Sequence, residues 1–193
     1  MRGVTIVHKT FNRELARTLK RGGIAVIPTD TIYGVVGSAR NKKTVARIYR
    51  VRRRNSKKPF IILISSLRDL SRFGVRIGKE TQKLLRQFWP GKVSVILPCR
   101  SKKFNYLHRG TNTLAFRLPA KKSLKNLLRR TGPLVAPSAN LEGTPPARTI
   151  SEAKSYFKNR VEMYIDRGSI RSHASALVDI TKGLPTILRK GGR

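Results

Sequence analysis

Apolar residues recur along the chain in short contiguous runs, and runs of that length bounded by turn residues predict buried strands. Residues 24–27 (Ile-Ala-Val-Ile) and 60–64 (Phe-Ile-Ile-Leu-Ile) are the clearest. Further strands are expected at residues 4–7, 93–97, 113–118, 134–136, 163–166, 176–180 and 186–188. In the run from Thr113 the alternation places Thr113, Ala115 and Arg117 on one face. Helical spacing marks the remainder. Asn12 caps a helix to about Arg21 with Leu15, Ala16 and Leu19 on one face. Lys42–Val51 turns Val45, Ile48 and Tyr49 inward, and Lys79–Phe88 has Leu84, Leu85 and Phe88 as its apolar side. Shorter helices are expected at Leu67–Phe73 behind Ser66, at residues 123–130, and from Ser151.

Gly22-Gly23, Pro28 and Trp89-Pro90-Gly91 punctuate these elements. Residues 29–34 (Thr-Asp-Thr-Ile-Tyr-Gly) read as a polar turn, and residues 100–109 as a basic loop. Phe104 and Tyr106 in that loop could stack on bases or pack as a satellite of the core. Strands and helices intermix without strict alternation. The expected fold class is therefore α/β: one domain over residues 1–193, a mixed twisted open sheet with flanking helices.

Charge changes this picture most. Among 193 residues, Lys and Arg number 43 against 9 Asp and Glu, a net charge of +34. The cations are spread along the chain, which suits a polyanion and makes nucleic acid an expected partner. They are densest from Arg50 to Pro59 (R-V-R-R-R-N-S-K-K-P), directly before the apolar run at Phe60. Cations carried into the edge of a core suit nucleotide phosphates or an RNA backbone; a solvated basic helix end is the plainer alternative. Cys99 is the one cysteine, so no internal disulfide forms, and one thiol with three histidines cannot build a Cys/His zinc site. No signal peptide or membrane-length apolar run is legible, so a cytoplasmic protein without membrane contact is expected.

P-loop, dinucleotide-binding and nucleophile-elbow motifs are missing, and nine carboxylates make a paired-carboxylate hydrolase unattractive. Hydroxyls and arginines recur instead, after expected strand ends: Thr29, Thr31, Arg52, Arg54, Thr113, Arg117, Ser138, Asn140 and Arg189. They suit binding and positional catalysis on an anionic substrate, where a carboxylate nucleophile needs alignment and charge neutralisation at phosphorus.

Seven segments in order resemble the YrdC-like threonylcarbamoyl-AMP synthase family in its short form: the P-T-D-T-I-Y-G run from Pro28, I-Y-R-V-R-R-R from Ile48 with Pro59, Trp89-Pro90-Gly91, T-L-A-F-R-L from Thr113, P-S-A-N from Pro137, the Ser175 to Asp179 run, and L-R-K-G from Leu188. The resemblance implies a YrdC-like fold and an enzyme, a nucleotidyltransferase that joins L-threonine, bicarbonate and ATP into threonylcarbamoyl-AMP and releases pyrophosphate. The product would serve N6-threonylcarbamoyladenosine modification of tRNA through a downstream threonylcarbamoyl transferase complex. Carried over residue by residue, Arg52, Arg54, Ser138 and Asn140 would be catalytic. ATP would be held by these four with Lys58, Thr113 and Arg189, and threonine by Thr31, Arg117, Ala136 and Ser175. Mg²⁺ would accompany the ATP substrate, and tRNA or other RNA would meet the basic surface.

The sequence departs from the family pattern at Arg52, where a lysine is usual, at Asn55, Leu63 and Ser172, and at Ala176, where a threonine is usual. The alternative reading is a non-catalytic RNA-binding protein of the same fold, for tRNA or ribosomal RNA, which the charge and the Arg52 change favour. The related carbamoyl-adenylate chemistry of hydrogenase maturation is a third reading, against which the chain length counts.

Overall fold

Ten strands form one mixed sheet in a computed structural model that describes residues 6–55 and 57–192. In chain order the elements are β1 (Ile6–His8), α1 (Arg13–Lys20), β2 (Ala25–Pro28), β3 (Tyr33–Ser38), α2 (Lys42–Val51), β4 (Ile61–Leu63) and α3 (Lys79–Phe88). There follow β5 (Val93–Pro98), α4 (Asn105–His108), β6 (Thr113–Arg117), α5 (Lys122–Thr131), β7 (Leu134–Val135) and α6 (Ile150–Phe157). The chain closes with β8 (Met163–Ile165), β9 (Ala176–Asp179) and β10 (Thr186–Arg189). Across the sheet the order is β1-β8-β2-β3-β7-β4-β6-β5-β9-β10.

Contiguous apolar strands arise where the sheet is covered on both faces. Successive residues of one strand enter opposite layers: Val26, Ile62 and Tyr164 join the larger cluster with α2, α3 and α6. Their neighbours Ala25, Ile27, Leu63, Met163 and Ile165 join a smaller cluster under α1 and α5. The second layer is incomplete. It takes residues from β8, β2, β3, β7 and β4, and none from β5, β6 or β9 among the described residues. In β6, Leu114 and Phe116 belong to the larger layer, while Thr113, Ala115 and Arg117 point to the other side and line a cavity. Half of one sheet face is thus roofed by two helices, and the other half is open floor.

Helix boundaries follow local chemistry. Asn12 and Asn41 cap α1 and α2, their Oδ1 atoms accepting from the amides of Leu15 (2.8 Å) and Thr44 (3.1 Å). The 3₁₀ helix Leu67–Phe73 starts behind Ser66, where the Asp69 carboxylate accepts from the amides of Ser65 and Ser66. Lys79–Phe88 is helical as expected, but of its apolar side only Leu85 is fully buried.

Four expectations need correction. Residues 33–38 form a strand that the sequence pattern hid, because Gly34 and Gly37 interrupt its apolar run. A Cβ on Gly37 would sit 2.5 Å from the Thr44 methyl and 3.0 Å from Ile48 Cδ1, so this glycine marks the close approach of α2 rather than a break. Pro28 ends β2 from inside, paired with Tyr33. Residues 100–109 hold a 3₁₀ turn (Lys102–Phe104) and α4, because Phe104 and Leu107 are drawn into the core and Tyr106 donates to the Ala39 carbonyl at 2.9 Å. The last helix starts at Ile150, capped by Thr149 rather than opened at Ser151. Of the strand expected at residues 4–7, residues 4 and 5 lie outside the described residues, as do Ser56 of the basic stretch and the terminal Arg193. Among the described residues no helix is long and apolar enough to cross a membrane.

Candidate active site

The open floor of the sheet carries a cavity of about 340 Å³. Its wall at one end is the turn between β2 and β3. There the Thr29 hydroxyl donates to the Ile32 carbonyl (2.6 Å), accepts from the Thr31 amide (3.1 Å), and lies 3.0 Å from the Thr31 hydroxyl. Small polar side chains close this turn on themselves, so it holds shape with both hydroxyls buried. The chain after β7 runs beside it: Val35 donates to the Pro137 carbonyl at 2.9 Å, and Gly34 bridges Ser138. Pro137 and Ser138 line the cavity as a result.

Arg52 is the C-cap of α2, and it is only 2% exposed. Its Nε donates to the Asn140 carbonyl (3.1 Å), and Nη2 donates to Asn140 Oδ1 (2.8 Å) and Ser138 Oγ (3.2 Å). Nη1 is buried without a partner. Burial first, and the positive charge of Arg54 second, push the Arg52 pKa down to about 10, so the guanidinium stays charged at neutral pH. The structure holds a fixed cation with one donor uncommitted, at a cavity wall. Arg54, half-buried, lies over the Phe60 ring at 5.6 Å. Phe60 stacks on Tyr49 at 4.0 Å, and Arg109 covers the other side of Tyr49 at 4.3 Å. This layered packing places Arg54 without using up its donors.

At the far side of the floor, Arg117 Nη2 donates to Asp30 Oδ1 at 2.9 Å, with both side chains buried. Burial holds the Arg117 pKa below its ordinary value, and the Asp30 carboxylate opposes that shift. Arg117 Nε and Asp30 Oδ2 remain buried and unpartnered, one donor and one acceptor. The Lys121 ammonium donates to the Thr29 carbonyl at 3.4 Å, outside the cavity wall. On the opposite rim the Ser175 hydroxyl lies 2.9 Å from Ser94 Oγ, and Arg189 Nε donates to the Ser175 carbonyl at 3.1 Å.

Of the residues expected in the site, Thr31, Arg52, Arg54, Thr113, Arg117, Ala136, Ser138, Ser175 and Arg189 line this one cavity. Two do not. The Lys58 ammonium is exposed and paired with Glu142 at 3.0 Å. Both amide hydrogens of Asn140 are used, donating to the carbonyls of Leu141 (2.8 Å) and Thr144 (2.7 Å), and its Oδ1 accepts from Arg52, so it supports that guanidinium. Thr113 and Arg117 are the first and last residues of β6 and Arg189 is the last of β10, so these three stand at strand ends rather than after them. Asp30 was visible only as a turn carboxylate, because its partner Arg117 is 87 residues away in sequence. Among the described residues, no group of three His, Cys, Asp or Glu side chains could hold a metal ion.

Four arginines and several hydroxyls surround one hollow on the uncovered half of a mixed α/β sheet, an arrangement with the charge to hold an anion. The Sua5/YciO/YrdC family model, described as "Telomere recombination", matches residues 17–191, and the chain belongs to that family. It is 32% identical to a threonylcarbamoyl-AMP synthase from Pyrococcus abyssi over 182 residues, 93% of this chain and 54% of that protein. A threonylcarbamoyl-AMP synthase from Thiobacillus denitrificans is 30% identical over 86% of this chain and 88% of its own length. The structure of P. abyssi Sua5 complexed with L-threonine superposes with a TM-score of 0.88 at 30% identity, over 97% of this chain and 58% of that one. The chain thus spans just over half the length of the P. abyssi relative.

Proposed function

We propose that this chain, as a single domain, is a threonylcarbamoyl-AMP synthase and so a nucleotidyltransferase. The observation that carries the reading is the convergence of Arg52, Arg54, Arg117, Arg189, Thr31 and Ser138 on one cavity. The names of its relatives support the same reaction. In the first step the amine of L-threonine takes up bicarbonate to give N-carboxythreonine and water. A carbamate oxygen then attacks the α-phosphorus of ATP, the bond to the β-phosphate oxygen breaks, and pyrophosphate leaves with the electron pair.

The residues divide by chemistry. Arg52 and Arg54 offer guanidinium donors to the triphosphate and to charge developing as pyrophosphate departs. The Ser138 hydroxyl adds a neutral contact beside Arg52, and Thr113 and Arg189 border the nucleotide from the other rim. Asp30 and Arg117 suit a small amino acid. The unpartnered Arg117 Nε would donate to its carboxylate, with Asp30, which does not line the cavity, holding the guanidinium in place. Thr31, Ala136 and Ser175 would frame the side chain. Mg²⁺ would reach the cavity on the phosphates of ATP, with Ser138 the hydroxyl beside it, and would neutralise phosphate charge there.

In this reading the product passes to a threonylcarbamoyl transferase complex acting on tRNA, and the excess of cations serves contact with that RNA in the cytoplasm. The net charge of +34 also favours a second reading, an RNA-binding protein without catalysis. One experiment separates them. Protein mixed with ATP, Mg²⁺, bicarbonate and L-threonine should release pyrophosphate only when threonine is present. Threonine-independent release, or none, would remove the enzymatic reading.

A further inference from the structure

A second concavity of about 270 Å³ lies beside the first, bounded by the Lys9–Asn12 segment, one face of α5 and the end of β8. Four cations line it: Lys9, Lys121, Arg130 and Arg167. Among the described residues none of the four joins a salt bridge. The nearby carboxylates are engaged elsewhere, Asp30 with Arg117, Asp166 with the Gly168 amide, and Glu14 with His8. Burial, and then the charge of Arg167, hold the Lys121 ammonium below its ordinary pKa, with Asp30 opposing. Like charges that converge on a hollow with no salt bridge among the described residues raise the energy of the folded state, and an anionic ligand relieves it.

The surroundings say which anion fits. Outside the hollow, the exposed sides of α1 and α5 carry Arg13, Arg17, Lys20, Lys122 and Arg129, so the positive field continues along both helices. Inside it, half-buried Phe11 lies among Asn12, Ser123 and Asn126, an aromatic face with amide and hydroxyl groups about it. Cations in a row suit successive phosphates, and an aromatic ring with amides suits the base or sugar between them. We infer that the hollow between the Lys9–Asn12 segment and α5 holds the phosphodiester backbone of RNA. It is distinct from the arginine-lined cavity and is separated from it by the contact of Lys121 with the Thr29 carbonyl. This inference rests on the RNA partner in the function proposed above, and not on the adenylate chemistry.

The test compares two variants of equal net charge for binding to an unmodified tRNA transcript. One carries Lys9→Gln, Arg130→Gln and Arg167→Gln. The other carries Arg68→Gln, Arg86→Gln and Lys103→Gln, exposed positions on elements packed against the opposite layer. The first should lose about 10- to 100-fold in affinity and about 3 from the slope of log affinity against log salt, with the second staying within about threefold of the parent. Equal losses in the two would reduce the effect to bulk charge and overturn the site. On the unsubstituted protein, bound RNA should shield Lys9 and Lys121 from acylation while Lys79 and Lys83 of α3 stay reactive; the reverse pattern would also overturn it. Tighter, groove-dependent binding to phosphatidylserine vesicles than to RNA would reassign the surface to a membrane and reject the inference. Pyrophosphate release measured without RNA tests the enzymatic reading alone, so either idea can fail while the other stands.

Discussion

Arg52 and Asn140 are joined twice, through Nε to the Asn140 carbonyl at 3.1 Å and through Nη2 to its Oδ1 at 2.8 Å. The pair ties the end of α2 to the loop after β7. It fixes a buried guanidinium with one nitrogen left over. Both amide hydrogens of Asn140 are used on backbone carbonyls, and its Oδ1 accepts from Arg52, so in the proposed function Asn140 would act through Arg52 as a positioning residue.

Asn140→Ala should therefore damage binding and stability together. It removes acceptor Oδ1 from a buried cation and leaves the carbonyl of Thr144 without its donor, while the Leu141 carbonyl keeps the amide and hydroxyl of Thr144. Unmade buried hydrogen bonds cost about 1–3 kcal/mol in total unfolding free energy. Denaturant titration should show that loss, and the KM for ATP should rise more than kcat falls. An unchanged KM for ATP would separate Asn140 from Arg52.

Arg54→Ala should do the opposite. Its side chain is half-buried, and its closest hydrogen bond, to the Lys58 carbonyl, is a long 3.5 Å. Folding should change by less than about 1 kcal/mol, while threonine-dependent pyrophosphate release falls about 100-fold or more. Full release in this variant would remove Arg54 from the proposed phosphate clamp.

How this site reads from sequence explains which residues were easy and which were not. Arg52, Arg54 and Ser138 sit in short motifs, so their proximity is encoded within a few residues. The cap residues Asn12 and Asn41 and the buried strands β2 and β4 are equally local. Asp30 escaped because its meaning depends on Arg117, which sequence adjacency cannot supply. β3 escaped because Gly37 looks like a breaker until α2 is seen lying against it. The split of the sheet face into roofed and open halves is a property of strand order, and no single strand carries it.

Titration of Arg52 supplies a test with a defined direction. Its folded pKa of about 10 lies below the ordinary value of an arginine. The charged form is thus disfavoured by folding at neutral pH. That cost fades as pH rises through about 10, where the folded protein sheds the proton while the unfolded chain keeps it. Nucleotide binding through Arg52 should weaken across the same window. Arg52→Lys should keep turnover at neutral pH and move this alkaline limb down by about two units, following the lower intrinsic pKa of lysine. Calorimetric titration with ATP between neutral and alkaline pH checks both; a limb that does not move on substitution would assign it to another group.

Asp30→Ala should be the most destabilising single change in the site. It leaves the Arg117 charge buried without a counter-ion, and breaking a buried pair from one side costs about 3–5 kcal/mol. Asp30→Ala with Arg117→Met should recover much of that stability and no threonine binding. Thermal unfolding together with threonine titration separates the two effects.

Gly37→Ala should act at a distance. The added methyl meets the Thr44 side chain, so α2 must shift, and overpacking of this kind costs about 1–3 kcal/mol. Because α2 ends at Arg52, the KM for ATP should rise although no group in the cavity has changed. A stability loss with an unaltered KM would show that α2 absorbs the strain before its last turn.

Leaving β5, β6 and β9 bare on the side where α1 and α5 lie divides the labour between two halves of one surface. Beneath the helices, Leu63 and Met163 answer to packing alone. Beyond them, Thr113 and Ala115 border the cavity rather than a packed layer, so under the proposed function exchanging them would retune which small molecule is accepted while the layers that hold the protein together stay as they are.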